Sequence, residues 1–439
     1  MIKNYQRRIE NKLIMPALQF MNREKSSGII LAIAVIIALI LANSPIHEEY
    51  ASLLEYHFGF IVNGKPFLNF SVEHWINDGL MSLFFFMVGL ELKHEFIGGE
   101  LKDIKKVTMP IVAAVFGMLV PALIYTAFNF GTDVYHGWGI PMATDIAFAL
   151  AVLYLLGDRI PLSAKVFLTT LAIVDDLGSV LVIALFYTSE ISFLSLGVGL
   201  LFLLVMFIGN KMGIKNVWFY GIVGLGGVWV AFLMSGIHAT ISAVLAAMMI
   251  PADSQIAEPA LAARLRKQLK RFEQTDGNNV VTLEPEQVKI LSRMRTDSEN
   301  AIPPSQRLEH GLQPFVAFVI IPVFALANAG VSFLNMDGSI LFSNHVALGV
   351  MFGLLVGKPL GIVLAVWLTE KLGLGKRSRN MTWQRIIGIG FLASIGFTMS
   401  MFITMLAFND PTQHIQAKVG IFAASILGGV MGYAILKKN

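Results

Sequence analysis

Residues 171–178, LAIVDDLG, place two adjacent carboxylates, Asp175 and Asp176, inside a run that is otherwise largely apolar from Pro161 to Tyr187. A helix that crosses a bilayer needs about 20 mostly apolar residues, and this run is long enough. Its midpoint falls at residue 174, so the aspartates lie near mid-depth. One aspartate at the centre of a spanning helix costs roughly 2.5–3.5 kcal/mol on insertion scales. An ionisable pair in that position is a functional-site candidate, and it implies a helical membrane protein organised around buried charge.

Composition agrees. Of 439 residues, 55% are hydrophobic and only 14% charged, against about 25% charged in an average soluble domain. Cysteine is absent, which excludes disulfides, thiolate metal sites and a cysteine nucleophile. The formal charge of +4 is small. No nucleic-acid partner is expected, and the lipid bilayer is. The N-terminal segment, residues 1–26, is basic and lacks an apolar core ending in a small-residue cleavage site, so no cleaved signal peptide is expected. Gly28 to Ala42 would serve as an uncleaved anchor, with Ile9 to Phe20 along the membrane surface.

Apolar runs set against turn residues predict twelve spans: 27–44, 77–97, 107–128, 138–157, 161–187, 191–209, 216–235, 236–251, 314–334, 344–370, 384–407 and 413–436. The chain then reads as a single integral membrane domain over 1–439. Spans one to eight occupy 27–251, a hydrophilic cytoplasmic loop 252–313, and spans nine to twelve 314–439. The eighth boundary rests on Ser235-Gly236. In the loop, ALAARLRKQLKRFEQ and residues 285–297 read as solvated helices.

Short cytoplasmic loops carry an excess of Lys and Arg. With both termini inside, the inner segments and span ends collect 30 of the 33 basic residues, leaving Lys65 and Lys418 outside and Lys358 within the membrane. A one-span error would scramble that alternation. Between spans one and two, HFGFIVNGKPFLNFSVEHW alternates around Asn63-Gly64, which suits an outside β-hairpin over residues 57–72, and Asn77 or Asp78 is the expected cap of the following helix.

Asp145, Asp175, Asp176 and Lys358 all lie well inside spans. Unpaired, they would together cost on the order of 10–14 kcal/mol, so they must be paired or hydrated. Lys358 sits at about the depth of Asp175, and an ion pair is the simplest solution. Neighbouring helical residues point about 100° apart, so one aspartate can meet Lys358 while the other faces a cavity; spacing does not say which. Span four is interrupted early by Gly137, Gly139 and Pro141 ahead of Thr144-Asp145, and span eleven carries Gly396 between Ser394 and Thr398. Interrupted helices at corresponding places in two halves point to a transporter's binding site. Spans three to five and ten to twelve would then be inverted-topology repeats. Carboxylates, a threonine hydroxyl and freed carbonyls are hard ligands that suit Na⁺ or Li⁺. A site that must release protons to accept a cation performs exchange by competition.

At these residues the chain resembles the NhaA-type bacterial sodium/proton antiporters, a type example of inverted-repeat transporters. The resemblance covers nearly every span through WINDGLMSLFFFMVGLELKHE, MATDIAFALAVL, LAIVDDLG, SGIHAT, RLEHGLQP, FALANAGVS, GKPLGI and GFTMSMFI. It implies that Asp175 and Asp176 carry the transported Na⁺ and the protons, that Asp145 and Thr144 support them where the interrupted helices cross, and that Lys358 offsets helix-end charge. No cofactor is implied. It further implies electrogenic export of Na⁺ or Li⁺ against a larger number of protons in the bacterial cytoplasmic membrane, and a homodimer through the 57–72 hairpin. A pH-response funnel maps onto Glu91, Glu95, Glu309 and His310, and His238 matches a histidine linked to pH response. Two departures stand out: His94 replaces the usual arginine, and Gln313 replaces a second histidine. The inside loop is also longer than is usual.

Two other readings use the same residues. A Na⁺-coupled symporter of related architecture would need an organic-substrate pocket. An intramembrane aspartyl protease would need two carboxylates facing each other across one water, which adjacent residues of one helix do not. The phenylalanines at 84–86 and the Gly-x-x-x-Gly spacing of GGVMG at 428–432 are packing features. VGKP fails as a phosphate-binding loop, because position 352 is Phe and Pro359 follows the lysine.

Overall fold

Long apolar runs with no water to hydrogen-bond must satisfy their backbone internally, and in this chain they do so as helices. The computed structural model describes residues 24–62, 65–99, 102, 104–188, 191–275, 282–332 and 344–438. In chain order these form α1 (Glu24–Ala42), α2 (His47–Glu55), strands β1 (His57–Val62) and β2 (Lys65–Ser71), α3 (Met81–Ile97), α4 (Ile104–Phe128), a 3₁₀ segment (Tyr135–Met142), α5 (Ile146–Leu155), α6 (Leu162–Phe186) and α7 (Phe193–Lys211). Then come α8 (Val217–Leu233), α9 (Ala239–Met249), α10 (Glu258–Gln274), α11 (Pro285–Ala301), α12 (Pro304–Asn328), α13 (His345–Lys371), α14 (Trp383–Ala393), α15 (Phe397–Ala407) and α16 (Pro411–Lys437).

Among the described residues, seven helices are long and apolar enough to cross a membrane, or nine if the bent pairs α1–α2 (111°) and α14–α15 (47°) each count as one. The sequence predicts twelve. Part of the difference lies in α8 and α9, which are apolar but shorter, and in α3, which spans 17 residues and carries Glu91, Lys93 and Glu95. The break between α8 and α9 falls at Ser235-Gly236, where Gly236 adopts φ +82°, a conformation glycine enters without steric cost. α12 starts at Pro304 rather than residue 314, because Pro304 suits a first helical position and the polar residues that follow are mostly partly exposed.

The hairpin is antiparallel, pairing Phe58 with Phe70 and Phe60 with Phe67. Gly59 faces both Leu68 and Asn69 across a bulge, and a Cβ there would collide with the Asn69 backbone. Leu68 takes φ +52°, which the bulge imposes. The expected Asn63-Gly64 turn, like the N-terminal surface segment, lies outside the described residues. The cap expected at Asn77 or Asp78 is a correction: the helical run begins at Val72, and Ser71 caps it by accepting from the His74 N–H at 3.1 Å. Asn77 is buried instead against Asn328, whose Nδ2 donates to Asn77 Oδ1 at 2.8 Å. The amide pair ties the run-in of α3 to the end of α12.

The hydrophilic stretch folds as two helices, α10 and α11, held together by Arg264 and Gln268 reaching Asp297 at 3.5 and 2.7 Å. At its base Lys215 donates to Asp253 at 2.6 Å, and this bond holds the Asp253 carboxyl below the usual carboxylate range. The principal hydrophobic core lies around α4, α6, α13 and the two helix breaks. Gly357 and Gly361 flank Lys358 and let α13 press against the backbone of α4 at Pro121 and Phe116. Side chains there would hold the helices apart and withdraw the lysine.

Candidate functional site

α6 is a continuous 25-residue helix that carries Asp175 and Asp176 at its middle, both buried, at 0% and 1% exposure. Their directions differ by about 100°, and so do their surroundings. Asp175 Oδ2 accepts from Lys358 Nζ at 2.5 Å. Lys358 also donates to the Met142 carbonyl at the end of the 3₁₀ segment. Asp176 interacts electrostatically with Asp175, Glu91, Asp145 and Lys358. Its Oδ1, the Oδ1 of Asp175 and the Oγ of Ser179, one turn away, are buried with no hydrogen-bond partner among the described residues. Buried acceptors without donors are costly, and a small cation or a proton is what such oxygens can hold.

Two chain breaks meet beside this pair. The 3₁₀ segment ends at Met142, Ala143 is extended, and Asp145 caps α5 by accepting from the Phe148 N–H at 3.0 Å. Opposite, α14 stops at Ala393 and α15 resumes at Phe397. Helix ends leave unsatisfied carbonyls and N–H groups, and here each break supplies the other. Asp145 N–H donates to the Ile395 carbonyl at 2.7 Å, and Thr144 Oγ1 to the Ala393 carbonyl at 2.9 Å. Asp145 Oδ2 accepts from Thr398 N–H at 3.0 Å and from Thr398 Oγ1 at 2.5 Å. The Asp145 carboxylate thus faces the positive ends of α5 and α15, while the Lys358 ammonium faces a helix-end carbonyl; each charge meets the opposite partial charge.

The expected pH-response residues do not form one group. Glu91 interacts electrostatically with Glu309, Glu95 and His94, and His94 Nδ1 lies 3.2 Å from Glu309 Oε2. His310 is exposed beside them. His238 belongs elsewhere: its Nε2 donates to the Tyr187 carbonyl at 2.7 Å, at the start of α9. Lys93, next to His94, bonds the Met248 carbonyl at the other end of α9. Eleven residues of helix separate these ends, or roughly 16 Å at 1.5 Å per residue.

Sequence reasoning passed over three contributors. Thr398, noted only as flanking Gly396, supplies both donors to Asp145 Oδ2. Its signal was a hydroxyl at the second residue after a helix-breaking glycine, the place where an N–H also becomes free. The Met142 carbonyl carried no side-chain signal. Tyr187 steadies the first break by accepting from Gly139 N–H at 3.1 Å and donating to the His136 carbonyl at 2.7 Å.

The family model described as Na⁺/H⁺ antiporter 1 matches residues 18–436. The chain is 47% identical over 430 residues to a Na⁺/H⁺ antiporter NhaA of Oleidesulfovibrio alaskensis, covering 97% of this chain and 94% of that protein. It is 46% identical over 418 residues to a Na⁺/H⁺ antiporter NhaA of Wolinella succinogenes, covering 95% and 91%, and 45% identical over 435 residues to a Na⁺/H⁺ antiporter NhaA 1 of Saccharophagus degradans, covering 98% and 92%. A multi-pass helical membrane protein with buried carboxylates beside two crossing helix breaks, matched over nearly its whole length, belongs to the Na⁺/H⁺ antiporter 1 family.

Proposed function

We propose that this protein exports Na⁺ or Li⁺ across the bacterial cytoplasmic membrane in exchange for a larger number of protons, by competition at Asp175 and Asp176 and alternating exposure of that site. The observation that carries the reading is the unlike pairing of two adjacent buried carboxylates, Asp175 held by Lys358 and Asp176 with an Oδ1 that has no partner among the described residues. A cation arriving at Asp176 must displace protons, and drawing Asp175 into its coordination must loosen the Lys358 bond. Asp145, Thr144 and Thr398 hold the crossing that would let the two breaks tilt as one body.

The breaks at residues 143 and 394–396 lie in the middle members of spans three to five and ten to twelve, which supports twelve spans and inverted repeats, and the distribution of Lys and Arg supports cytoplasmic termini. The exposed hairpin supports a homodimer through residues 57–72. The Glu91, His94, Glu95 and Glu309 group supports regulation by pH.

The test is Na⁺-induced proton movement in liposomes, wild type beside Asp176→Asn, from about pH 6 to 9, a range spanning the ionisation of histidines and of carboxyls shifted by burial, with and without a potential. A wild-type signal lost in the variant, and enhanced when the cytoplasmic side is negative, is the expected result. A signal indifferent to potential would overturn the electrogenic step, and one surviving in the variant would remove Asp176 from the site.

A further inference from the structure

A cavity with a partly polar lining lies away from the aspartates, at one end of the bundle. It encloses about 440 Å³ where the starts of α4, α6 and α14 meet the loop after α13. Its rim is basic and hydroxylic, with Lys376, Arg377 and Ser378 from the loop GKRSRN and Ser163 from the first turn of α6. Its floor is apolar, with Met109, Val166, Phe167 and Ile386. Among the described residues lining it, none is acidic.

We propose that this cavity binds the headgroup phosphate of an anionic phospholipid. Arg377 is pre-positioned, with Nε 3.0 Å from Glu370 Oε1 and its guanidinium 4.6 Å over the Trp383 ring. Glu370 offsets one charge only, whereas residues 371–380 carry Lys371, Lys376, Arg377 and Arg379. Ser163 Oγ is buried without a partner among the described residues. It sits in the first turn of a helix whose free N–H groups also favour an anion. Basic pockets between spanning helices suit lipid headgroups.

The apolar floor selects a lipid over a free anion, because a hydrated phosphate gains nothing from Val166 or Phe167 while a glycerol-acyl segment does. Depth agrees: Trp367 and Trp383 flank the loop, and tryptophan gathers at the membrane–water boundary. A lipid held there would join the starts of α4 and α6 to the α13–α14 connection, bracing the carboxylate-bearing helix against the lysine-bearing one.

The test is lipid binding to the purified full-length protein in detergent, followed by native mass spectrometry and by thermal unfolding, with phosphatidylglycerol, phosphatidylcholine and inorganic phosphate as probes. Phosphatidylglycerol should bind and raise the melting temperature where phosphatidylcholine does not. Lys376→Gln should weaken it about fivefold, the effect of one basic residue near a membrane surface. Ser163→Ala should weaken it too, and Lys267→Gln on exposed α10 should not. Equal binding of the two lipids, or Lys376→Gln and Ser163→Ala variants that bind like wild type, would overturn the proposal. Displacement of phosphatidylglycerol by millimolar phosphate would overturn it in favour of a free-anion site. Should Lys376→Gln fail to fold, Ser163→Ala decides alone.

Discussion

Lys358 Nζ lies 2.5 Å from Asp175 Oδ2, with both side chains fully buried. Burial makes this pair sensitive to the loss of either member. Removing one partner of a buried ion pair leaves an uncompensated charge and typically costs about 3–5 kcal/mol, whereas replacing both by apolar groups can be nearly neutral. Lys358→Met alone should therefore lower the melting temperature sharply, and Lys358→Met with Asp175→Leu should recover most of it. A double variant as unstable as the single one would show that the lysine's role is packing or its bond to Met142, not the pair.

Thr398 gives Asp145 two donors on one oxygen. Hydrogen bonds to a charged group contribute about 1.5–3 kcal/mol. Thr398→Val removes the hydroxyl and keeps the shape, so it should cost stability in that range and reduce transport, while Thr398→Ser should restore both. Thermal unfolding and liposome transport measured together check this; a Val variant with wild-type stability would mean the N–H alone suffices.

His94 and Glu309 join α3 to α12 at 3.2 Å. An imidazole can change charge in the physiological range, while a guanidinium stays charged. His94→Arg would place at this contact a cation whose charge does not change with pH. If loss of the pair accompanies activation, the variant's activity should appear at a higher pH than wild type. A superimposable pH profile would remove the pair from regulation.

The hairpin exposes Phe58, Phe60 and Ile61, the last at 81%, and its attachment includes the Trp75 Nε1 bond to the Phe58 carbonyl. Deleting residues 57–70 should weaken dimerisation far more than transport. Crosslinking in membranes reads the first effect and liposome assays the second; an undiminished crosslinked dimer would move the interface elsewhere.

Much of the candidate site was legible because burial of charge is costly in a membrane. Asp145, Asp175, Asp176 and Lys358 stand out against an apolar background, and Gly396 and Pro141 mark places where a helix is hard to sustain. The number of full spans was less so. α8 and α9 are apolar and α3 carries charges, and hydropathy measures composition rather than how far a segment runs before it turns. The helix cap was misplaced for a reason remote in the chain: Asn77 has a capping residue's chemistry, yet its amide is taken by Asn328, 251 positions away.

The sequence by itself determined the membrane class, the carboxylates at the middle of a long apolar helix and the two weak points of the helices, since each follows from residue type and distance along the chain. Only the tertiary structure decided that Asp175 rather than Asp176 meets Lys358, that Thr398 serves Asp145, and that His238 stands apart from His94. Those outcomes depend on helix rotation and on which backbone groups the two breaks leave free, and both are set by packing between segments far apart in the chain.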